Sequence, residues 1–567
     1  MSFVAKKKGV ASYCCRVFVP LRTGMWLRIQ TSGKPVLPSK VLSGNTLSAT
    51  ADVAESQTTA RWAIANPQTP VDLVRNSALQ TVEVHPQGVG SGILATLPGF
   101  SPAALGDPSF LTTHKVRFPY ICGEMANGIA SVPMVIAMAK AGMLGFFGAA
   151  GLPLAEIERA VAVLKKECAG ASWGSNLIHS PQDPDLEERS VDLYLREGVT
   201  RVSASAFMAL RPSVVRYAFS GIRQEADGTI VRRNHVFAKI SRVEVAKQFL
   251  SPAPANMLAA LGEKGLLTPQ EIELASRLPV AEDFTVEADS GGHTDNRALT
   301  VLLPSILHLR DEMARKYGWT HPIRIGAAGG IGTPGAVAAA FSMGAAYVLT
   351  GSINQSAVES ALSAAGKKLL TQAAATDVMM APAADMFELG VKVQVLKRAT
   401  FFAARASKLY ELYIRHESLE QIPADTLRTL ERDVFKQPIA QIWADTEKFF
   451  QVRMPHEMER AARDPKHRMA LVFRWYLHFS SRWAISGEAT RQVDYQIWCG
   501  PAMGVFNQWV AGTFLEKPEN RTVTQIALNL MHGAASIARA HQLRTFGVDV
   551  PAELFNYAPR VIDESVA

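Results

Sequence analysis

The stretch HPIRIGAAGGIGTPGAVAAAFSMGAAYVLTG, residues 321–351, has the strongest chemical signature in the chain. A strand pattern ends near Gly326, and Gly329, Gly330 and Gly332 follow as a tight turn. A small-residue helix and a second strand ending at Gly351 come next, with Ser352 beyond. Glycines let backbone N–H groups come close to an anion, and a helix N-terminus adds a favourable dipole. This spacing predicts a phosphate site. Tight helix–strand packing would need small residues too, but two such loops in succession favour the phosphate.

The segment EADSGGHTDNR, residues 287–297, is the second candidate. Gly291 and Gly292 would bend the chain at a strand end and project His293 beyond it. A histidine there can hold a proton near neutral pH or stabilise a developing oxyanion. Asp295 is the expected group to orient it. No second histidine is nearby, so a metal site is not expected. Three further polar groups fall at strand ends: Ala126–Asn127 in GEMANGIAS (123–131), Asn176 in GSN (174–176), and Lys239. Asn176 offers both a donor and an acceptor. Lys239 would bring a cation to the same place.

The elements that must position these residues come from the pattern between 117 and 351. Eight short apolar runs begin at FPYIC (118–122), MLGFF (143–147), WGSNLI (173–178), VTRVSA (199–204), HVFAKI (235–240), FTVEAD (284–289), HPIRIG (321–326) and AYVLTG (346–351). Most are followed by a helical pattern. Apolar strands alternating with helices predict a parallel sheet buried on both faces. Eight units in about 240 residues suit a closed (β/α)8, or TIM, barrel, with a doubly wound sheet as the alternative. The fold class is therefore α/β, and the candidate residues gather at the carboxyl ends of the strands. In LLTPQE, Thr268, Pro269 and Glu271 form a capping box.

Three regions are expected. Residues 1–110 form an N-terminal extension, partly β or irregular, with a helical stretch near 51–65 and one or two strands in VEVHPQGVGSGILAT. Residues 111–360 form the barrel, with a helical excursion around 251–282. Residues 361–567 read as helical, since the strand signal fades after about 355. There VQVLKRATFFAARASKLYELYIRH reads as one long helix. The aromatic–basic runs FRWY, SSRW and DYQIWCGPAMGVFNQW could be read as a base-stacking platform, but their helical spacing fits core or lid packing.

Composition sets outer limits. The 567 residues are 48% hydrophobic and 19% charged, which describes a globular chain with a large interior. Formal charge is +8 and the pI about 9.1, a modest bias that could steer acidic partners. The five cysteines, Cys14, Cys15, Cys122, Cys168 and Cys499, are scattered and give neither a disulfide framework nor a zinc site. Arg16 and Arg22 interrupt the apolar start, so no secretory signal is expected, and no uncharged run of 18 apolar residues predicts a membrane span. A cytoplasmic location follows as an expectation.

At YICGEMANGIAS, AGMLGFFGAAGL, SGGHTDNR, GAAGGIGTPGAVAAAF, APAADMFELGVKVQVLKR, FRWYLHFSSRWA and DYQIWCGPAMGVFN the chain resembles a known family. It is similar to the PfaD-type proteins of polyunsaturated fatty acid and trans-acyltransferase polyketide synthesis, which resemble nitronate monooxygenases. The resemblance covers roughly 100–555. It implies FMN, with NADPH as reductant, and a trans-acting enoyl reductase whose partner is an acyl carrier protein. It also places Ala126, Asn127, Asn176 and Lys239 near the flavin. Gly291 and Gly292 would carry His293, the active-site histidine. Gly329, Gly330, Gly351 and Ser352 would lie near the phosphate. Asp385, Glu388 and Lys392 belong to the family's post-barrel segment without an assigned role. Cys122 stands where a small residue is expected. The helical region is expected to serve as a lid, a carrier-docking face or a homodimer surface. No nucleic-acid partner is expected. A nitronate monooxygenase-like FMN oxidase and a non-catalytic part of a synthase are the alternatives.

Overall fold

The computed structural model describes residues 58–180 and 183–564. The eight apolar runs are eight parallel strands: Tyr120–Cys122, Leu144–Phe147, Gly174–Ile178, Arg201–Ser205, His235–Ile240, Asp283–Glu287, Arg324–Ala328 and Val348–Thr350. The last pairs with the first, Val348 opposite Tyr120, and the barrel closes. Closure leaves no edge strand exposed. Helices cover the outside through apolar stripes. In Leu154–Glu167 the buried residues are Ile157, Ala160, Val161 and Leu164, a helical i, i+3, i+4, i+7 set. The capping box at Thr268, Pro269 and Glu271 is present at Pro269–Ala275.

The amino ends of four consecutive strands hold an ion cluster. Asp283 is fully buried, and Arg324 donates to both its oxygens, Nε at 2.6 Å and Nη2 at 2.9 Å. His114 Nε2 lies 3.2 Å from the same carboxylate, and Arg201 Nε donates to His114 Nδ1 at 3.3 Å. His235 completes the group. The ligand atoms of His114, His235 and Asp283 lie within 4.8 Å of one another, a spacing that suits a cation, but the two guanidiniums already supply the positive charge. Burial pushes the Asp283 carboxyl up, yet Arg324 and His114 outweigh it and hold it well below the usual range. Burial, with His114 beside it, pushes His235 down to about 3.

These shifts fix a pH dependence. Between about pH 6.5 and pH 3 the unfolded chain protonates His235 while the folded chain does not, so stability falls as pH drops through that window. Asp283 adds a loss in the same direction below the ordinary carboxylate pKa. We expect the thermal midpoint to fall steadily from about pH 7 to about pH 4.5, and His235→Phe to remove part of that slope. An unchanged slope in the variant would show that His235 does not titrate as described.

Beyond the barrel, residues 58–65 are helical. The antiparallel strands Val71–Asn76, Thr81–Pro86 and Ile93–Leu97 form a small sheet with the first at its centre. Its apolar face, including Val71, Leu73, Val84 and Leu97, packs on Ala540 and Leu543 of the last helix, Val523–Thr545. Arg539 in that helix donates 2.7 Å bonds to the carbonyls of Pro67 and Pro98. The strand Val71–Asn76 is not among the elements that the sequence pattern announces. The expectations for the basic start, Cys14 and Cys15 lie outside the described residues. The described residues form one compact unit.

The region after 355 departs from an all-helical reading. Val378–Pro382 and Lys392–Leu396 form a hairpin, and the second strand also pairs antiparallel with Gly292–His293. The segment expected as one helix is a strand to Leu396 followed by a helix, Phe402–Arg415. Val393, Val395 and Leu396 fit either period, and the available strand partners decide the outcome. Helices Ile439–Arg453 and Pro465–Ser486 then cover the barrel mouth. Among the described residues no helix is long and apolar enough to cross a membrane. Cys122, Cys168 and Cys499 are buried free thiols. Burial raises the Cys122 thiol, and Asn354 Nδ2 donates to its sulfur at 3.3 Å, so this residue packs the first strand.

Candidate active site

A cavity of about 1480 Å³ opens at the carboxyl ends of the strands, and every residue expected to bind the cofactor or act in catalysis lines it. At the seventh strand end Gly329 and Gly330 have φ of +84° and +71°, a left-handed pair that glycine adopts without strain. A Cβ on Gly329 would lie 2.6 Å from the carbonyl carbon of Ala288, while Gly330 and Gly351 face open space. Among the described residues no backbone carbonyl accepts from the amides of Gly329, Gly330, Gly351 and Ser352. Helix Pro334–Ser342, capped by Thr333, follows immediately. Open space bordered by unused amides and a helix N-terminus fits a phosphate ester. We expect Gly329→Val, which must push the sixth strand end away, to weaken FMN binding at least tenfold in a flavin fluorescence titration. Unaltered affinity would move the phosphate elsewhere.

Across the mouth Asn127 adopts φ +56°, a conformation asparagine tolerates, and donates its backbone amide to the Ala150 carbonyl at 2.7 Å. Asn176 Nδ2 donates to the Ser203 carbonyl at 3.0 Å and to Ser205 Oγ at 2.8 Å, which fixes its side chain. Lys239 brings the expected cation to the cavity, in company with two carboxylates. Its Nζ lies 3.2 Å from Glu124 Oε1 and 3.1 Å from Glu287 Oε1. Burial pulls this ammonium down, but the two carboxylates outweigh it and raise it above the ordinary lysine value.

His293 is one-third open (32%) to the cavity. The expected partner, Asp295, lies elsewhere: Arg242 donates to it through Nε and Nη2, both at 3.0 Å, and Ser241 Oγ at 3.2 Å. The carboxylate beside His293 is Asp385, whose Oδ1 is 3.3 Å from Nε2. Asp385 comes from the post-barrel hairpin, far downstream in the chain, where local sequence gives no sign of the pairing. Burial lowers the imidazole's proton affinity, but Asp385 and Glu287 reverse the balance and raise it. Glu388 faces away from this pair, 3.1 Å from buried His467, which also meets Glu457 at 2.8 Å. Lys392 lies on the cavity wall.

The far wall comes from helix Pro465–Ser486. Trp475, Phe479 and Trp483, spaced by four, stack along the cavity, with ring centroids 4.9 Å and 6.0 Å apart. Their helical spacing fits lid or core packing, as expected from the sequence; the structure gives them an open apolar face as well. Arg474 lines the same wall.

Residues 108–411 match the nitronate monooxygenase family. Residues 416–495 match the inserted helical domain of acyl-carrier-protein S-malonyltransferase. The polyketide biosynthesis protein PksE of Bacillus subtilis is 48% identical over 434 residues, covering 76% of this chain and 56% of that protein. The polyketide biosynthesis protein ThaF of Burkholderia thailandensis is 44% identical over 454 residues, 79% of this chain and 39% of that protein. A polyunsaturated fatty acid synthase protein of a Thraustochytrium species is 46% identical over 463 residues, 80% of this chain and 31% of that protein. The chain thus spans about half or less of the length of these relatives. The crystal structure of the enoyl reductase domain of MlnA, from the macrolactin cluster of Bacillus amyloliquefaciens, superposes with a TM-score of 0.75 at 39% identity. The match covers 78% of this chain and 99% of that domain.

Proposed function

The chain belongs to the nitronate monooxygenase family, in the branch of the polyketide and polyunsaturated fatty acid synthase proteins, and from that premise we propose that it is an FMN-dependent trans-acting enoyl reductase. The substrate is an enoyl thioester on an acyl carrier protein and the reductant is NADPH. The observation that carries this reading is the apposition, in one cavity, of a glycine phosphate cradle and the Asp385-paired His293 beneath an aromatic wall.

Gly329–Gly330 and Gly351–Ser352 would hold the phosphate of FMN, which when bound would supply hydride transfer between nicotinamide and the β carbon. The protein supplies position and protons. Ala126, Asn127 and Asn176 border the space beside the cradle and fix its polar edge. Lys239, tied to Glu124 and Glu287, keeps a buried polar floor ordered. His293 holds a proton for the α carbon, where negative charge develops as the β carbon is reduced. Trp475, Phe479 and Trp483 form an apolar wall for an acyl chain and exclude water. The segment 416–495, which shares its match with a carrier-dependent transferase, supports docking of the carrier on that side.

Anaerobic addition of NADPH and then a crotonyl carrier protein tests the assignment. Flavin absorbance should bleach and then return with the enoyl substrate. Return only on admitting oxygen would favour a nitronate-type oxidase, and failure to take up FMN would leave a structural role.

A further inference from the structure

The hairpin Val378–Pro382/Lys392–Leu396 stands outside the barrel, yet it fixes the catalytic histidine twice. Its second strand pairs with the histidine's own backbone, His293 opposite Val393 and Gly292 opposite Gln394. Its connecting loop brings Asp385 to 3.3 Å from Nε2. Gly291 lets the Cys499 segment come close, since a Cβ there would lie 2.8 Å from the Cys499 backbone nitrogen, and that nitrogen donates to the hairpin's Gln394 carbonyl at 3.3 Å. Three charged groups from other elements surround the His293–Asp385 pair. Glu287 ends the sixth strand, Lys239 ends the fifth and is already tied to Glu124 and Glu287, and Arg474 on helix Pro465–Ser486 acts on Asp385.

We propose that Asp385 is a positioning residue: it accepts the Nε2 proton of His293, so that Nδ1–H is the group presented to the substrate and the ring enters the reaction as imidazolium. This rests on reading His293 as the proton donor of an enoyl reduction. Hydride, supplied by NADPH, adds to the β carbon, and the proton on Nδ1 passes to the α carbon. His293 is left neutral with Nε2–H still on Asp385. Solvent reaching the open third of the ring restores the proton on Nδ1. The Asp385 carboxylate stays ionised throughout, since the pair with His293 outweighs the effect of burial and holds it below the usual carboxylate range. An Nε2 anchor in a carboxylate fixes both tautomer and ring orientation.

The test uses the full, FMN-loaded chain with Asp385→Asn and Asp385→Glu. Two readouts are taken: the His293 titration by NMR of 13C-labelled histidine, assigned with His293→Gln, and the pH profile of kcat for crotonyl carrier reduction. Asp385→Asn should lower the His293 pKa by about one unit or more and move the alkaline limb of the profile by the same amount. A one-unit shift makes the variant about tenfold slower on that limb and little changed near about pH 6. Asp385→Glu should restore much of both. A uniform rate loss with an unmoved titration would overturn the proposal and make Asp385 a packing residue. If no enoyl carrier is reduced at all, the functional reading fails, while the NMR titration still decides whether Asp385 governs His293.

Discussion

His293→Gln should reduce the turnover of a crotonyl carrier by about 10²- to 10⁴-fold, the usual contribution of a positioned general acid. The loss should be confined to one half of the cycle. Reduction by NADPH under anaerobic conditions needs no proton at the α carbon, so bleaching should proceed within a few-fold of the native rate. Flavin content should also hold, since the proposed phosphate cradle follows the seventh and eighth strands and His293 comes after the sixth. Glutamine keeps the approximate length and polarity of the side chain but has no proton that titrates near neutrality. Stopped-flow absorbance separates the halves. Equal slowing of both would place His293 in cofactor binding instead.

Asp283→Asn should destabilise the protein by about 3–5 kcal/mol, the range for breaking a buried ion pair by removing one partner. The cost comes from Arg324, whose side chain is 2% exposed and would keep its charge with only Glu282, which it does not touch in an ion pair, to offset it. His114 would lose its carboxylate as well. The companion Asp283→Leu/Arg324→Met, which removes both charges, should recover much of the loss, because an apolar pair of similar volume has no charge to desolvate. Urea unfolding at about pH 7, followed by tryptophan fluorescence and flavin release, measures both variants. Specific activity of the folded fraction should stay near native, because the cluster sits at the amino ends of the strands and the cavity at their carboxyl ends. That division between a stabilising face and a chemical face is common to this fold. A loss below about 1 kcal/mol in Asp283→Asn would mean that water reaches Arg324 and the cluster is not closed.

The wall that covers the mouth explains why a barrel shared with other chemistries here carries a long helical addition. A barrel alone offers an open bowl. Helix Pro465–Ser486 turns it into a cavity with an apolar side, and the hairpin beside it supplies Asp385. The match of residues 416–495 to a domain inserted in a carrier-dependent transferase falls on this addition and not on the barrel.

By itself the sequence determined the eight strands and the glycine turn at Gly329–Gly330, while the choice of a closed barrel over a doubly wound sheet came from the structure. Each of those features is local. A short apolar run followed by an amphipathic helix reads the same wherever it lies, and Gly329–Gly330 declare a left-handed turn without reference to distant contacts. The placement of His293 at the mouth follows from the same logic, since it lies a few residues beyond the end of the sixth strand. Only the tertiary structure decided what these residues touch. Asp295, close to His293 along the chain, was the natural partner by proximity, yet the turn at Asn296, with φ +52°, leaves Asp295 with Arg242. Asp385 reaches His293 because Lys392–Leu396 finds a strand partner in Gly292–His293, a pairing no periodicity announces. The ion pairing of Lys239 needs Glu124 and Glu287 from the first and sixth strand ends, neighbours only after the barrel closes. Local backbone preference is written in adjacent residues, while charge pairing depends on distances that closure and packing create.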